Sequence, residues 1–446
     1  MTTQNTTGII KVAVIGGGPA GLGAAIELNK LPFVDWNVYE QATAIREIGA
    51  GISIQPSTWR LLEVMGAAKN FHSKNIYRPR DNHAVQHRNG RTGELLYSHG
   101  QEGTPLDQLH ARTQRSTLQQ ALLKEVDQSR VHVAHRLVKV ERQLSGKLKL
   151  RFENGYSDEV DLVVGADGIR SVVRDYAFPE HRISYTGKTA YRVIVPEEAI
   201  AHLNIPDAIT FWHGPDSWLY TCALGGGKYE ITSMARELDK DADKVSWGQH
   251  AAIEDHTRHF KEFLPLVKDV VAFSNEIKQY AMFAGPRLDR IIAQDSVVLV
   301  GDASHPLSGA FGAGAGFALE DVYTLGQALK WAHENNLGIA AALGLVDKVR
   351  SPHYEKLYDI LNEFGNTDSY IRSQNPPLSF DDAVAIIAKE IWSIRHHWIY
   401  DYDIQQVWKD AVEAEKSRNT VAGGSLLKGT QSLNNISIAA EAQSKL

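Results

Sequence analysis

The sequence predicts an α/β fold, and three features of the chain carry that prediction. A β-branched run of strand length, "KVAVI", leads through a glycine turn into a helix-like segment that ends near Leu28. The same grammar returns in "SVVLVGDASHPLSGAFGAGAGFALED", from Ser296 to Asp321, far along the chain. Between roughly Tyr185 and Gln279 stand alternating strand-like stretches, "KTAYRVIV", "AITFWHG", "SWLYTCAL" and "KYEITSMA". Beyond Trp331 the text reads as helices, with "GIAAALGLVDKVRSPHYEKLYDILNEFG" strongly amphipathic. The expectation is a discontinuous Rossmann-like domain, a β-sheet second domain and a helical C-terminal region.

At 446 residues the chain is long enough for two or three domains with real cores. No apolar run is long enough to span a bilayer, so a soluble protein is expected. The formal charge of -6 and the lack of any Lys/Arg-dense block argue against nucleic acid as the partner. One cysteine, Cys222, leaves no intrachain disulfide and no cysteine-based metal site. The opening "MTTQNTTGII" has no basic region followed by a long apolar core, and no secretory signal is expected. After about Ala422 the text turns small and polar, which reads as a tail outside any core. Its final Ser444, Lys445 and Leu446 spell the peroxisomal address, so a peroxisomal import receptor is an expected partner, with cytoplasm otherwise.

The first turn, "GGGPAGLGAA", fits G-x-G-x-x-G at Gly16, Gly18 and Gly21. Gly16 permits the turn, Gly18 lets main chain approach a pyrophosphate, and Gly21 lets the helix lie close on the strand. The helix N-terminus then favours the anion. A second strand, "WNVYEQA", ends at Glu40, where a carboxylate can accept both hydroxyls of an adenosine ribose. Strand, fingerprint, helix, strand and terminal acid in this order point to a bound dinucleotide.

An ordinary nicotinamide dehydrogenase needs only one such fingerprint. This chain returns to the ligand with "VDLVVGADGIRSVVR", Val160 to Arg174, and again with the Ser296–Asp321 stretch. Asp302 stands at a strand end, placed to bond a chain of hydroxyls, and Pro306 blocks extension of the strand. Gly312, Gly314 and Gly316 let a ligand come close to N–H groups at a helix start, which suits the negative charge of a reduced flavin. The second turn thus holds a reactive ring and the first a pyrophosphate, as FAD requires.

The motifs "GGGPAG", "REIGAGISIQPS" from Arg46 to Ser57, "GADGIRS" from Gly165 to Ser171, and "GDASHP" with its glycine loop, in that order, resemble the class A flavoprotein aromatic monooxygenases. The likeness runs from about Ile10 to Tyr402 and is nearest to the salicylate and hydroxybenzoate hydroxylases, fungal types included. It implies a flavin domain of the hydroxybenzoate hydroxylase type over 8–80, 106–178 and 285–335, with a substrate domain over 81–105 and 179–284. A helical region over 336–420 and a tail over 421–446 complete the expected organisation, as a monomer or homodimer. The resemblance puts Glu40 on the adenosine ribose and Ser53 against the cofactor. It puts Arg115 near the pyrophosphate and ribityl chain, Asp302 on the ribityl hydroxyls, and the main chain of Gly314 and Ala315 beside the ring. Read alone, Arg115 is a solvated charge on an amphipathic helix. Asp167 and Arg170 serve cofactor binding on one reading and an ordinary turn on the other.

The activity implied is hydroxylation of a phenolic aromatic acid, with or without loss of carbon dioxide. NADH or NADPH acts as transient reductant, dioxygen as co-substrate and a flavin C4a-hydroperoxide as oxygen donor, with no metal. The protein must exclude water, orient the ring and favour phenolate over phenol. Arg192, a charge within the apolar "AYRVIV", points to solvent by alternation alone, whereas the resemblance sets it against the substrate oxygen. Many relatives carry Tyr-Pro where this chain has Cys222-Ala223, leaving Tyr220, Tyr191 or His213 to replace the usual tyrosine, each with core packing as the plain alternative. His305 belongs to the motif's turn rather than to general-base chemistry, and Gly316 stands where many relatives have asparagine. "HH" at 396–397 lacks metal-ligand spacing. Competing readings are a dearomatising phenol hydroxylase of fungal secondary metabolism and a flavoprotein oxidase or dehydrogenase.

Overall fold

The computed structural model describes residues 8–45, 50–80, 83–237, 247–273 and 276–418. The tail with Ser444, Lys445 and Leu446, and Arg46 to Gly49 of the second motif, lie outside the described residues. The chain forms two compact units, Met1–Tyr402 and Asp403–Leu446. The second contributes a helix over 404–418.

The first unit contains the expected α/β sheet, assembled from separated pieces of chain. Its strand order is Ile292–Ala293, Val297–Leu299, Leu162–Gly165, Ile10–Ile15, Val34–Tyr39, Val131–His132. The pairings are parallel except for the first pair. Val14 lies between Val38 and Val164 in register, and all three are fully buried. Near-continuous apolar strands of this kind suit a sheet covered on both faces. The helix Pro19–Asn29 follows the first strand, and Gly23 lets it press against Leu319 and Val322 of the long helix Gly314–Glu334.

An eight-stranded sheet forms the second layer, in the order Trp247–His250, Lys278–Ala284, Ser184–Pro196, Lys228–Arg236, Ser217–Gly225, Thr210–His213, Val85–Asn89, Leu95–His99. The four strand-like stretches of the sequence all fall in it. Alternation gives this sheet two unlike faces. One carries Tyr191, Val193, Trp212, Leu219 and Ile231 into a core completed by Phe260, Val267 and Val270. The other carries Arg192, Thr232, Tyr220 and Phe211 in one cross-strand row. A two-stranded ribbon, Gly51–Ile54 with Ala111–Gln114, meets that second face, as the site geometry below shows. The helices Ile339–Ser373 and Phe380–Ile391 make up the expected helical region.

Candidate active site

The strands Ile10–Ile15, Leu162–Gly165 and Val297–Leu299 run parallel and end side by side, each entering a tight loop. In an open parallel sheet the carboxyl edge is where a ligand lies. At the first loop the three fingerprint glycines have different neighbours. Gly16 takes φ +110°, and a Cβ there would stand 2.3 Å from Ala166 O. A Cβ on Gly21 would stand 1.8 Å from Gly16 O. On Gly18 it would meet no protein atom within 4 Å. Protein backbone therefore demands the outer two glycines, while the middle one faces away from the chain. Gly18 also N-caps the helix Pro19–Asn29 with no side-chain cap, leaving first-turn N–H groups for an anion. Glu40 stands at the end of the second strand, accepting from Gly17 N at 2.6 Å and Ala42 N at 2.7 Å.

The third loop brings its own acid. Asp302 is exposed while Gly301, Ala303, Ser304 and His305 around it are buried. Gly301 permits this, because a Cβ there would sit 3.1 Å from that of Ala20 and 3.2 Å from that of Ala318. The early turns of the two helices thus close on Gly301 and hold Asp302 beside Gly314, whose Cβ position is 3.6 Å from Asp302 Oδ1. The helix Gly314–Glu334 has no side-chain cap either, so the main chain of Gly314 and Ala315 presents free donors. Gly316 has no room for a side chain, since a Cβ would lie 2.5 Å from Thr58 Oγ1. Arg174, which sequence reasoning missed, braces the loop from behind, donating through Nη1 to Asp302 O (3.3 Å) and Ala303 O (3.1 Å) and through Nη2 to Ile169 O.

Asp167 accepts from Ser171 Oγ and from the N–H groups of Val172 (2.7 Å) and Val173 (3.2 Å). That is the geometry of a turn capping the short helix Val172–Ala177. Arg170 is exposed, its guanidinium 5.0 Å above the Phe283 ring. His305 stacks on Tyr354 at 4.6 Å and lies 3.5 Å from Asp321, within a buried cluster with Arg350 that joins two helices. Among the described residues no cluster of His, Cys, Asp or Glu could hold a metal ion.

The ribbon supplies the link to the second sheet. Ser53 and Arg112 are register partners, and Arg112 Nη1 donates to Ser53 Oγ at 2.9 Å. Arg112 pairs, fully buried, with the Glu230 carboxylate, and Glu230 Oε1 also accepts from Gly51 N at 3.0 Å. Arg115 begins the helix Arg115–Leu123, its N–H on Ala50 O at 2.9 Å. Gln119 of that helix reaches Gly17 O at 3.3 Å, which sets Arg115 between ribbon and first glycine turn.

Arg112 and Glu230 were not anticipated, and they lie against two residues that were. The Arg112 guanidinium is 5.0 Å from the Tyr220 ring centroid. Arg192 stands one strand from Glu230 on the same face, 5.6 Å over the Tyr280 ring, and its Nε is buried without an acceptor. Burial pulls the Arg192 guanidinium below its usual range against the lift from Glu230. Burial holds the Tyr220 phenol well above its ordinary value, so Tyr220 is neutral. Glu230 sits below the usual carboxylate range, because Arg112 and Arg192 outweigh its burial. Aromatic rings continue the face: Phe211 lies 4.6 Å from Tyr220, 5.3 Å from Trp218 and 5.1 Å from Trp392. Met282 reaches the glycine loop at Gly309, 3.9 Å from its Cβ position.

Of the three candidates for the replacement tyrosine, Tyr191 is corrected. It points to the opposite face, donating to Glu237 Oε1 at 2.7 Å and stacking on His256 at 5.1 Å. The single-residue offset from Arg192 decides this. His213 shares the face of Tyr220 but stands farther along it, bonded to His87 at 2.9 Å.

Two uncapped helix starts, an open glycine and an exposed carboxylate suit a long, anionic, ring-bearing ligand such as FAD. Fold and site define a flavin-dependent oxidoreductase. The chain belongs to the FAD binding domain family, whose description matches residues 10–338. It is 27% identical over 431 residues to the 6-methylsalicylate 1-monooxygenase of Aspergillus terreus, covering 90% of this chain and 92% of that protein. It is 24% identical to the salicylate hydroxylase of Pseudomonas putida over 89% of this chain and 92% of that one. Among solved structures, a salicylate hydroxylase–substrate complex superposes with a TM-score of 0.74 at 22% identity, covering 90% and 98% of the two chains. The chain is an FAD-dependent monooxygenase.

Proposed function

We propose that the protein hydroxylates a phenolic aromatic acid of the hydroxybenzoate type, consuming NADH or NADPH and dioxygen, with the ring lying against the Arg192–Tyr220 face of the sheet. The observation that carries this reading is the buried Arg192 Nε with no acceptor, on the face that meets the flavin-side ribbon and glycine loop. Relatives named for acting on 6-methylsalicylate, 3-amino-4-hydroxybenzoate and salicylate support the substrate class.

Glu40, Arg115, Asp302, Ser53 and the main chain at Gly18, Gly314 and Ala315 would hold FAD, which when bound supplies the reducing electrons and activates dioxygen for transfer of one oxygen atom. Arg192 offers a cation to the substrate's phenolic oxygen, lowering the phenol pKa and making the ring nucleophilic. Tyr220, neutral at working pH, gives that oxygen a hydrogen-bond partner without a competing charge. Phe211, Trp218 and Trp392 exclude water along the face. When the oxygen lands on a ring carbon bearing a carboxylate, carbon dioxide leaves; when it lands on a C–H position, the ring proton goes to water.

A panel of hydroxybenzoates and uncharged phenols, mixed with the holoenzyme and NADH or NADPH, tests this. Hydroxybenzoate-stimulated nicotinamide oxidation with a hydroxylated product supports the proposal. A non-aromatic dienone product points to the dearomatising reaction instead, and anaerobic reduction of the flavin by substrate alone points to an oxidase.

A further inference from the structure

The Arg112–Glu230 pair lies inside the molecule, yet its two halves come from different layers. Arg112 belongs to the flavin-side ribbon and Glu230 to the middle strand of the substrate sheet, 118 residues away in sequence. Both side chains are almost wholly buried, where desolvation makes a pair expensive to keep for stability alone. The carboxylate is heavily engaged. It accepts from Arg112, from Gly51 N at 3.0 Å and from Thr232 Oγ1 at 3.1 Å, with Cys222 Sγ at 3.9 Å. Arg112 in turn has one hand on Ser53 Oγ, its face over Tyr220, and a buried Nε without acceptor. Thr232 lies in register between Arg192 and Tyr220, so the pair sits at the floor of the region assigned to substrate.

We propose that Glu230 is a positioning residue that sets the charge of the substrate cavity: it neutralises Arg112 and so leaves Arg192 as the guanidinium offered to the substrate's anionic oxygen. The charge count is direct. Within this trio Arg112 and Arg192 against Glu230 leave one positive charge in excess, to which the neighbouring cations Arg115 and Lys278 add the same background in every variant. Through Arg112 the same carboxylate fixes the Ser53 hydroxyl and the tilt of the Tyr220 ring. The inference rests on the proposal that substrate lies on this face.

The test measures ligand binding to the holoenzyme through the change in its visible flavin spectrum, using a hydroxybenzoate and the uncharged amide of the same acid. The ratio of the two dissociation constants reports cavity charge and is insensitive to a loss of folded protein. Glu230→Gln leaves Arg112 uncompensated, and the ratio should move at least ~10-fold in favour of the carboxylate. Arg112→Met lowers the positive charge of the trio by one and should move the ratio by a similar factor the other way. The double variant Arg112→Met/Glu230→Gln removes the pair together, keeps the same excess charge on Arg192 as the unmodified enzyme, and guards against a single variant that fails to fold. Its ratio should return to within about twofold of the unmodified enzyme, by charge balance. Ratios unchanged in the single variants, or a double variant that stays displaced, would overturn the proposal. Absence of any spectral response in the unmodified enzyme would instead strike the substrate assignment itself.

Discussion

The fingerprint glycines divide into a ligand-facing one and two backbone-facing ones, and a pair of alanine substitutions separates them. Gly18 has φ −76° and ψ −176°, which alanine adopts freely, and its new Cβ would touch no protein atom within 4 Å. Gly18→Ala should leave the apoprotein as stable as before or ~0.4–1 kcal/mol more stable, through the stiffer unfolded chain. The same methyl would stand where a pyrophosphate approaches the helix start. Loss of one charge-assisted hydrogen bond, about 1.5–3 kcal/mol, weakens FAD roughly 10- to 100-fold. Gly21→Ala puts a methyl 1.8 Å from Gly16 O, an overlap that only backbone movement relieves. It should destabilise the apoprotein itself by ~1–3 kcal/mol or more. Denaturant unfolding of flavin-stripped protein and a fluorescence titration with FAD read the two quantities separately. A Gly18→Ala apoprotein destabilised like Gly21→Ala, or one that binds FAD at full strength, would refute the reasoning.

Asp302→Ala should lose FAD during gel filtration while the apoprotein keeps its unfolding midpoint to within a few degrees, since the carboxylate is exposed; full retention of flavin would remove Asp302 from the cofactor. Arg192→Met should keep the flavin but shift the alkaline turnover profile. A cation about 4 Å from a phenolate at an effective dielectric near 20 is worth ~4 kcal/mol, or roughly three pKa units, so activity near neutral pH should fall at least ~100-fold and recover at high pH. An unshifted profile would contradict the role of Arg192. Burial depresses His110 and His213 to about 3 and His256 to about 4. The unfolded chain, titrating near 6.5, therefore binds protons that the folded one refuses. Stability should be intact above pH ~6.5 and decline as pH falls from there toward those folded values, at up to ~1.4 kcal/mol per unit per histidine. Unfolding free energies flat between pH 7 and pH 5 would contradict this.

Much of this architecture was legible because its signals are local. The glycine turn, its strand and Glu40 sit within about thirty residues, so spacing alone assigns their order. Four of the eight strands of the second sheet declared themselves by β-branched and aromatic runs. What stayed hidden depends on which face of a strand meets which layer. Alternation puts Tyr191 and Arg192 on opposite faces but cannot say which face looks at the flavin; the helices around Phe260 and Val267 decide that. The Arg112–Glu230 pair had no signal, because partners 118 residues apart leave no periodicity to read. Arg174 had no signal either, because the loop it braces follows Val297–Leu299, more than a hundred residues on.

The most direct measurement is single-turnover chemistry under ¹⁸O₂ with the FAD-loaded enzyme, a reduced nicotinamide and a hydroxybenzoate. The account predicts a product carrying one ¹⁸O atom for each nicotinamide oxidised. A product free of the label, or nicotinamide oxidation that substrate does not stimulate, would contradict it.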